Sequence, residues 1–286
     1  MSDDKNIITK TNDGYVVELF ARMGIKEKVE DGLEGISILE PAKGLVEDEL
    51  YSIYSEIVDK MDYNPVIIKA PEMEKEIMVF KTQIRAILRA AAQGDVSIVF
   101  SKVSSVEEIK DYRQILEQCQ KELEAENTPY RKHMKIGVVV EIPSVALMSY
   151  EIARECDFFF IDTDSLTKYS FGNKKDKKLS EKMQLPLIKL LQHTIEGAHD
   201  AGIYCGITGQ VVENELYMPL LIGLGLDQFS IDKNNISKVR VFLHQLNKSD
   251  CKELVEEINQ QRTLEDIETK LKIFLDKIIM KPRGDN

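Results

Sequence analysis

Short apolar runs alternate with longer amphipathic ones along this chain. Runs rich in Val, Ile and Phe, bounded by turn residues, predict strands at Tyr15–Arg22, Gly35–Glu40, Pro65–Ala70, Val96–Lys102, Lys135–Ile142, Phe158–Asp162, Ile203–Thr208 and Gln228–Asp232. Val66-Ile67-Ile68 and Val138-Val139-Val140 show no polar alternation, the pattern of parallel strands buried on both faces. Between the strands, apolar positions recur every three or four residues. They predict helices at Lys26–Glu34, Glu47–Met61, Lys75–Gln93, Val106–Glu126, Ser144–Glu155, Leu185–Ala201, Glu215–Gly223 and Ser237–Leu246. Eight strand–helix units predict an α/β fold, a (β/α)8 TIM barrel over about residues 13–247. A C-terminal helical extension follows at about residues 251–279, so one domain covers 1–286. Leu264, Ile267, Leu271, Phe274 and Ile278 form a stripe there that is expected to dock on the barrel, since the run is short for a coiled coil.

Composition narrows the classes. With 43% hydrophobic and 30% charged residues the chain has the make-up of a folded protein. The best apolar run, Pro219–Leu226, is interrupted by Gly223 and Gly225 and falls far short of the ~20 residues of a membrane helix. The first residues hold no apolar signal core, so a cytoplasmic protein without membrane contact is expected. A net charge of −11 opposes nucleic-acid binding, and the lysine-rich stretch at 172–182 reads as a solvated loop. Cys119, Cys156, Cys205 and Cys251 lie far apart without a Cys-x-x-Cys pair, which suits a reduced protein with no structural zinc.

Chemistry in such a barrel sits at the C-terminal ends of the strands. Those ends carry Glu40, Lys69, Lys102, Glu141, Asp162 with Asp164, Thr208 with Gln210, and Asp232. A polar rim belongs to any barrel and names no reaction.

Three stretches are more specific. They are Val140-Glu141-Ile142-Pro143-Ser144, Asp162-Thr163-Asp164-Ser165-Leu166, and Gly206-Ile207-Thr208-Gly209-Gln210, the last continued by Gly223-Leu224-Gly225-Leu226-Asp227-Gln228-Phe229-Ser230. In this order they resemble the C-terminal barrel of the phosphoenolpyruvate-utilising enzymes, a family that includes enzyme I of the sugar phosphotransferase system, pyruvate phosphate dikinase and phosphoenolpyruvate synthase. The resemblance runs from about residue 11 to 274. It implies a TIM barrel that binds Mg²⁺ and phosphoenolpyruvate and passes the phosphoryl group to a histidine on a separate domain. No phosphohistidine segment of the family's type is read here, and His133, His193, His199 and His244 fall away from the strand ends, so no relay within the chain is expected.

Carried over by resemblance, Glu141 matches the family's first metal ligand, and a carboxylate suits Mg²⁺. The second ligand position holds Ser165, with Asp164 one residue early and Asp162 at the family's glycine. A phosphate-binding arginine is replaced by Glu40 and another by Lys69, which keeps the charge without the bidentate fork. The general-acid cysteine is replaced by Thr208, whose hydroxyl does not titrate near neutrality, and the motif's glutamate by Gln210.

These replacements lead to the expectation of a pseudoenzyme: a barrel of phosphotransferase ancestry that binds or regulates and transfers no phosphate. Resemblance implies a homodimer, and the partner would be a small oxo-acid or another protein. Glu40 and Lys69 would then neutralise one another. The alternative is a Mg²⁺- or Mn²⁺-dependent enzyme doing lyase or enolate chemistry on an oxo-acid, with the metal on Glu141 and Asp164 or Asp162. Lys69 or Lys102 would hold the carboxylate. A phosphotransferase subunit serving a separate histidine protein fits least.

Overall fold

The computed structural model describes residues 8–40, 44–73, 77–172 and 182–280. Eight parallel strands close into a barrel in chain order: β1 (Glu18–Met23), β2 (Gly35–Ile38), β3 (Val66–Lys69), β4 (Val96–Phe100), β5 (Lys135–Val140), β6 (Phe158–Asp162), β7 (Tyr204–Thr208) and β8 (Gln228–Asp232). β8 pairs with β1, with Arg22 beside Asp232, and the ring has no free edge.

Alternation along each strand separates two cores. Phe20, Ile67, Val99, Val139, Phe158 and Phe160 form a cluster of their own inside the barrel. Their neighbours Leu19, Ala21, Ile68, Val138, Phe159 and Ile161 face outward into the larger core under the helices. Glycine makes room for the inner rings: a Cβ on Gly35 would collide with the Phe20 ring, and one on Gly137 with the Phe158 ring. Phe158 also stacks on Tyr204 with ring centroids 5.0 Å apart. On the β2–β8 side the interior is polar, where the Ser37 and Ser230 hydroxyls meet.

The outer layer comprises α1 (Glu47–Met61), α2 (Ile77–Ala90), α3 (Val106–Ala125), α4 (Pro143–Leu147), α5 (Ser149–Ile152), α6 (Thr163–Ser170), α7 (Leu185–Asp200), α8 (Met218–Leu224) and α9 (Ile236–Leu243). Two differences from the sequence pattern have local causes. The stretch predicted as a helix at Lys26–Glu34 is an irregular link. Val29 and Leu33 are buried at helical spacing, but Gly32 sits at φ 78° and ends any helix there. The helix predicted over Ser144–Glu155 breaks at Met148 into α4, α5 and a short 3₁₀ turn. The break seats Ser149 against α7, where its hydroxyl donates to the His193 carbonyl and a Cβ on Gly197 would strike it.

The extension is two helices, α10 (Lys248–Asn259) and α11 (Leu264–Met280). α10 packs on α8 so closely that a Cβ on Gly223 would hit the Cys251 carbonyl. Asp13 caps α10 by accepting from the Lys248 and Ser249 backbone N–H groups at 2.9 and 3.1 Å. Desolvation would raise the Asp13 carboxyl, but these bonds and the Thr11 hydroxyl hold it at about 2. On α11, Ile267 and Leu271 are fully buried, so the stripe docks as expected. Lys182 and Tyr217 both bond Glu268 of the same helix, at 2.8 and 3.1 Å. The rest of the lysine-rich stretch, 173–181, lies outside the described residues. Among the described residues no helix is long and apolar enough to cross a membrane.

Two outcomes follow for stability and thiol chemistry. Gly137→Ala should destabilise the fold by about 1–3 kcal/mol through overpacking against Phe158. Urea unfolding measures this, and an unchanged midpoint would contradict the packing. The four cysteines are free and buried, and burial pushes the Cys119 thiol up to about 11 and those of Cys156 and Cys251 up to about 12. A thiol reagent should therefore find all of them only after denaturation.

Candidate functional site

The alternation that sorts the core also decides which strand ends face the mouth. Two residues beyond each inner ring position, the same face carries Arg22 above Phe20, Lys69 above Ile67, Glu141 above Val139 and Asp162 above Phe160. Register places Thr208 beside Asp162 and Asp232 beside Arg22. On β2 the mouth position is Leu39, which packs against the inner cluster. Glu40 is the next residue and is exposed, and among the described residues no ion pair joins it to Lys69. Lys102 likewise follows the inward Ser101. Its backbone is left-handed at φ 56°, and its ammonium pairs with Glu72 at 2.8 Å.

One half of the mouth is organised around Arg22. Its Nη1 donates to Thr208 Oγ1 at 3.1 Å and its Nη2 to Glu213 Oε1 at 2.7 Å. Glu213 is fixed independently, accepting from the Asp232 N–H at 3.1 Å and from Asn235 Nδ2 at 2.6 Å. The Thr208 carbonyl accepts from the Thr163 hydroxyl at 2.9 Å, which ties β7 to the start of α6. Asp164 turns to the same side, where its carboxylate accepts the Gln210 backbone N–H at 3.1 and 3.3 Å. Burial raises the Asp164 carboxyl, and the Gln210 N–H and the Arg22 charge oppose that rise.

The other half centres on Glu141, which is buried and accepts the Lys102 N–H at 2.5 Å through Oε1. Burial raises the Glu141 carboxyl above its ordinary range. The Lys69 charge and the Lys102 N–H pull it down, and the Asp162 charge pushes it up again. Asp162 is also the N-cap of α6: its Oδ1 accepts the Asp164 and Ser165 N–H groups, each at 3.1 Å, and its Oδ2 accepts the Ser165 hydroxyl at 2.8 Å. Ser165 therefore serves the cap.

Among the described residues no three His, Cys, Asp or Glu side chains converge as a cage. Mg²⁺ does not need one, because one or two carboxylates suffice when a ligand's oxygens and water complete the shell. Glu141 Oε2 accepts no hydrogen bond from a described residue, and the carboxylate whose charge acts on Glu141 is Asp162. Glu141 with Asp162 fits a ligand-completed site, and Asp164 stands on the Gln210 side. Arg22 and Glu213 were not among the sequence candidates. Arg22 was legible as the inward residue at the end of β1, whereas Glu213 lies in the turn after β7 and carries no signal in the pattern.

Residues 71–248 match the family described as PEP-utilising enzyme, PEP-binding domain. The chain is similar to the phosphoenolpyruvate-protein phosphotransferase of Mycoplasma capricolum, 33% identical over 204 residues, covering 70% of this chain and 36% of that protein. The Staphylococcus carnosus protein of the same description is 28% identical over 299 residues, covering 90% of this chain and 52% of its own length. The chain thus spans about half the length, or less, of these relatives. Among solved structures, it resembles a citrate lyase from Burkholderia xenovorans with a TM-score of 0.60 at 10% identity, covering 99% of this chain and 98% of that one. It also resembles the malate synthase of Haloferax volcanii in a magnesium and glyoxylate complex, with a TM-score of 0.55 at 10% identity and 93% and 92% coverage. These two likenesses concern the fold.

The raised Glu141 carboxyl has a consequence for stability. The native protein holds that proton to higher pH than the unfolded chain does. Its contribution therefore declines as pH rises from the unfolded glutamate value, ~4.3, through the raised folded value, and stays unfavourable at neutrality. Glu141→Gln should stabilise the metal-free protein at pH 7, with the gain vanishing towards pH 4. Melting curves across pH check this, and a loss of stability at pH 7 would contradict it.

Proposed function

The chain belongs to the PEP-utilising enzyme family, and from that premise we propose that its barrel mouth binds a small anionic ligand and transfers no phosphoryl group. One observation carries the proposal. At the position matching the family's general acid stands Thr208, a buried hydroxyl whose oxygen is taken by the Arg22 guanidinium. Such a group holds a ligand by hydrogen bonding and does not supply a proton to an enolate carbon. The replacements at Ser165, Gln210 and Glu40 support the same reading: the first is spent on a helix cap, the second has no acid, and the third points out to solvent. In this reading the protein is a binding or regulatory pseudoenzyme. Homodimer formation and a cytoplasmic location belong to the same proposal, the former on family resemblance.

A divalent cation, Mg²⁺ or Mn²⁺, would be held by Glu141 with Asp162 and would supply a Lewis acid for a carbonyl or carboxylate oxygen. The chain's own groups divide the remaining work. Lys69 balances Glu141, Thr208 stands beside Asp162, and Arg22 reaches Thr208 from β1 as a further donor. A second reading, lyase or enolate chemistry on an oxo-acid, draws on the raised carboxyls of Glu141 and Asp164, since a shifted carboxyl is what proton transfer near neutrality requires.

Two measurements test this. With Mg²⁺ and oxalate or pyruvate at ~100 times the dissociation constant, the fold should gain about 2.7 kcal/mol and melt several degrees higher, and Glu141→Ala should remove most of that gain. In D₂O the methyl protons of pyruvate should exchange no faster with protein and Mg²⁺ than with Mg²⁺ alone. Catalysed exchange would favour the second reading over the first, and the absence of any ligand-dependent shift would overturn the binding site itself.

A further inference from the structure

We propose that Arg22 is the carboxylate anchor of the barrel mouth, and that the site it builds with Thr208 selects small carboxylates over phosphate. The inference rests on the reading of the mouth as a small-anion site. Family resemblance assigned the anion-binding positions to other strands, where this chain has Glu40 and Lys69. The arginine that faces the mouth is on β1.

Four features set Arg22 apart from a structural ion pair. It occupies an inward position at a strand end, two residues above Phe20 of the inner cluster, so its side chain rises towards the mouth and not into the helix layer. Its counter-anion does not depend on it, because Glu213 is already held by the Asp232 N–H and by Asn235. Glu213 therefore serves as a fixed post that orients the guanidinium. Of the five N–H donors of an arginine, bonds to described residues use one on Nη1 and one on Nη2, which leaves Nε and one hydrogen on each Nη. The side chain also keeps 34% of its exposure, above buried neighbours. Thr208 completes the arrangement: its oxygen accepts from Arg22, so its own proton is directed elsewhere, as a second donor beside the guanidinium.

Charge decides between the two anion classes. The inward rim carries two cations, Arg22 and Lys69, against three carboxylates, Glu141, Asp162 and Asp232, with Asp164 and Glu213 close behind. A planar carboxylate group meets the guanidinium fork with two parallel hydrogen bonds and carries one negative charge per group. A phosphate gathers up to two charges on one tetrahedral group in a rim that is already acidic, and no second guanidinium stands at the described rim positions to meet it.

Calorimetric titration tests this, using oxalate and then inorganic phosphate as probes, each with Mg²⁺ present. Oxalate should bind the unaltered protein. Arg22→Gln should weaken it at least tenfold, and Arg22→Lys, which keeps the charge and loses the fork, should fall between. Phosphate should bind more weakly than oxalate. The metal-free melting temperatures of both variants should stay within a few degrees of the parent, since Glu213 retains its other partners. Oxalate affinity unchanged in Arg22→Lys and Arg22→Gln, yet lost in Glu141→Ala, would overturn the anchor while leaving the mouth as the binding site. Phosphate bound as tightly as oxalate through Arg22 would overturn the selectivity. If the parent protein binds neither probe, the small-anion reading fails and the anchor fails with it.

Discussion

The closed ring of parallel strands is the constraint on which the rest depends. Once β8 pairs with β1, every strand has one face inside a narrow tube and one face under helices, and a shift of one residue would exchange the two. The aromatic interior enforces that assignment. Phe20 and Phe158 fit because Gly35 and Gly137 on neighbouring strands have no side chain in the way. The same alternation then carries Arg22, Lys69, Glu141 and Asp162 to the mouth and turns Glu40 outward. Packing in the middle of the barrel thus dictates the chemistry at its end.

The mouth is electrostatically costly. Glu141 is a buried carboxyl and Asp164 a half-buried one, and in both the loss of hydration outweighs the neighbouring cations and N–H donors. Other polar groups at this end are satisfied by the fold: Asp162 and Ser165 by a helix cap, Glu213 by three donors, Asp164 by a backbone N–H. Glu141 is different because one of its oxygens accepts nothing from the described residues. In the proposed reading a bound cation would offset the cost of keeping this buried carboxyl ionised, which would connect the stability of the site to its ligand. At the opposite end the balance is reversed, since Asp13 is held ionised by the N–H groups of α10 and fastens the helical extension to the barrel.

The relation to the phosphoenolpyruvate-utilising enzymes covers residues 71–248, most of the barrel. The apolar framework constrains many positions at once, so it holds together as a unit. Single side chains at strand ends are freer: Thr208 stands where a titrating thiol is expected, and an arginine on β1 bonds it. The proposed binding role rests on that bond, because it spends the oxygen on orientation.

The sequence alone determined the architecture. Runs of β-branched and aromatic residues separated by amphipathic stretches placed all eight strands, and an apolar stripe placed the docked extension. These signals are local, repeated and tied to burial, which is why they are legible. Periodicity misled at Lys26–Glu34, where Val29 and Leu33 are buried at helical spacing in a link that Gly32 keeps irregular. Strand-end chemistry was half legible. Choosing the last charged residue led to Glu40 and Lys102, where inward parity selects Leu39 and Ser101 instead. Only the tertiary structure brought Arg22, Thr208 and Glu213 together, from β1, the end of β7 and the turn beyond it. Residues so far apart in the chain meet because the barrel closes between β8 and β1, and closure is a property of the whole ring that no single stretch of sequence contains.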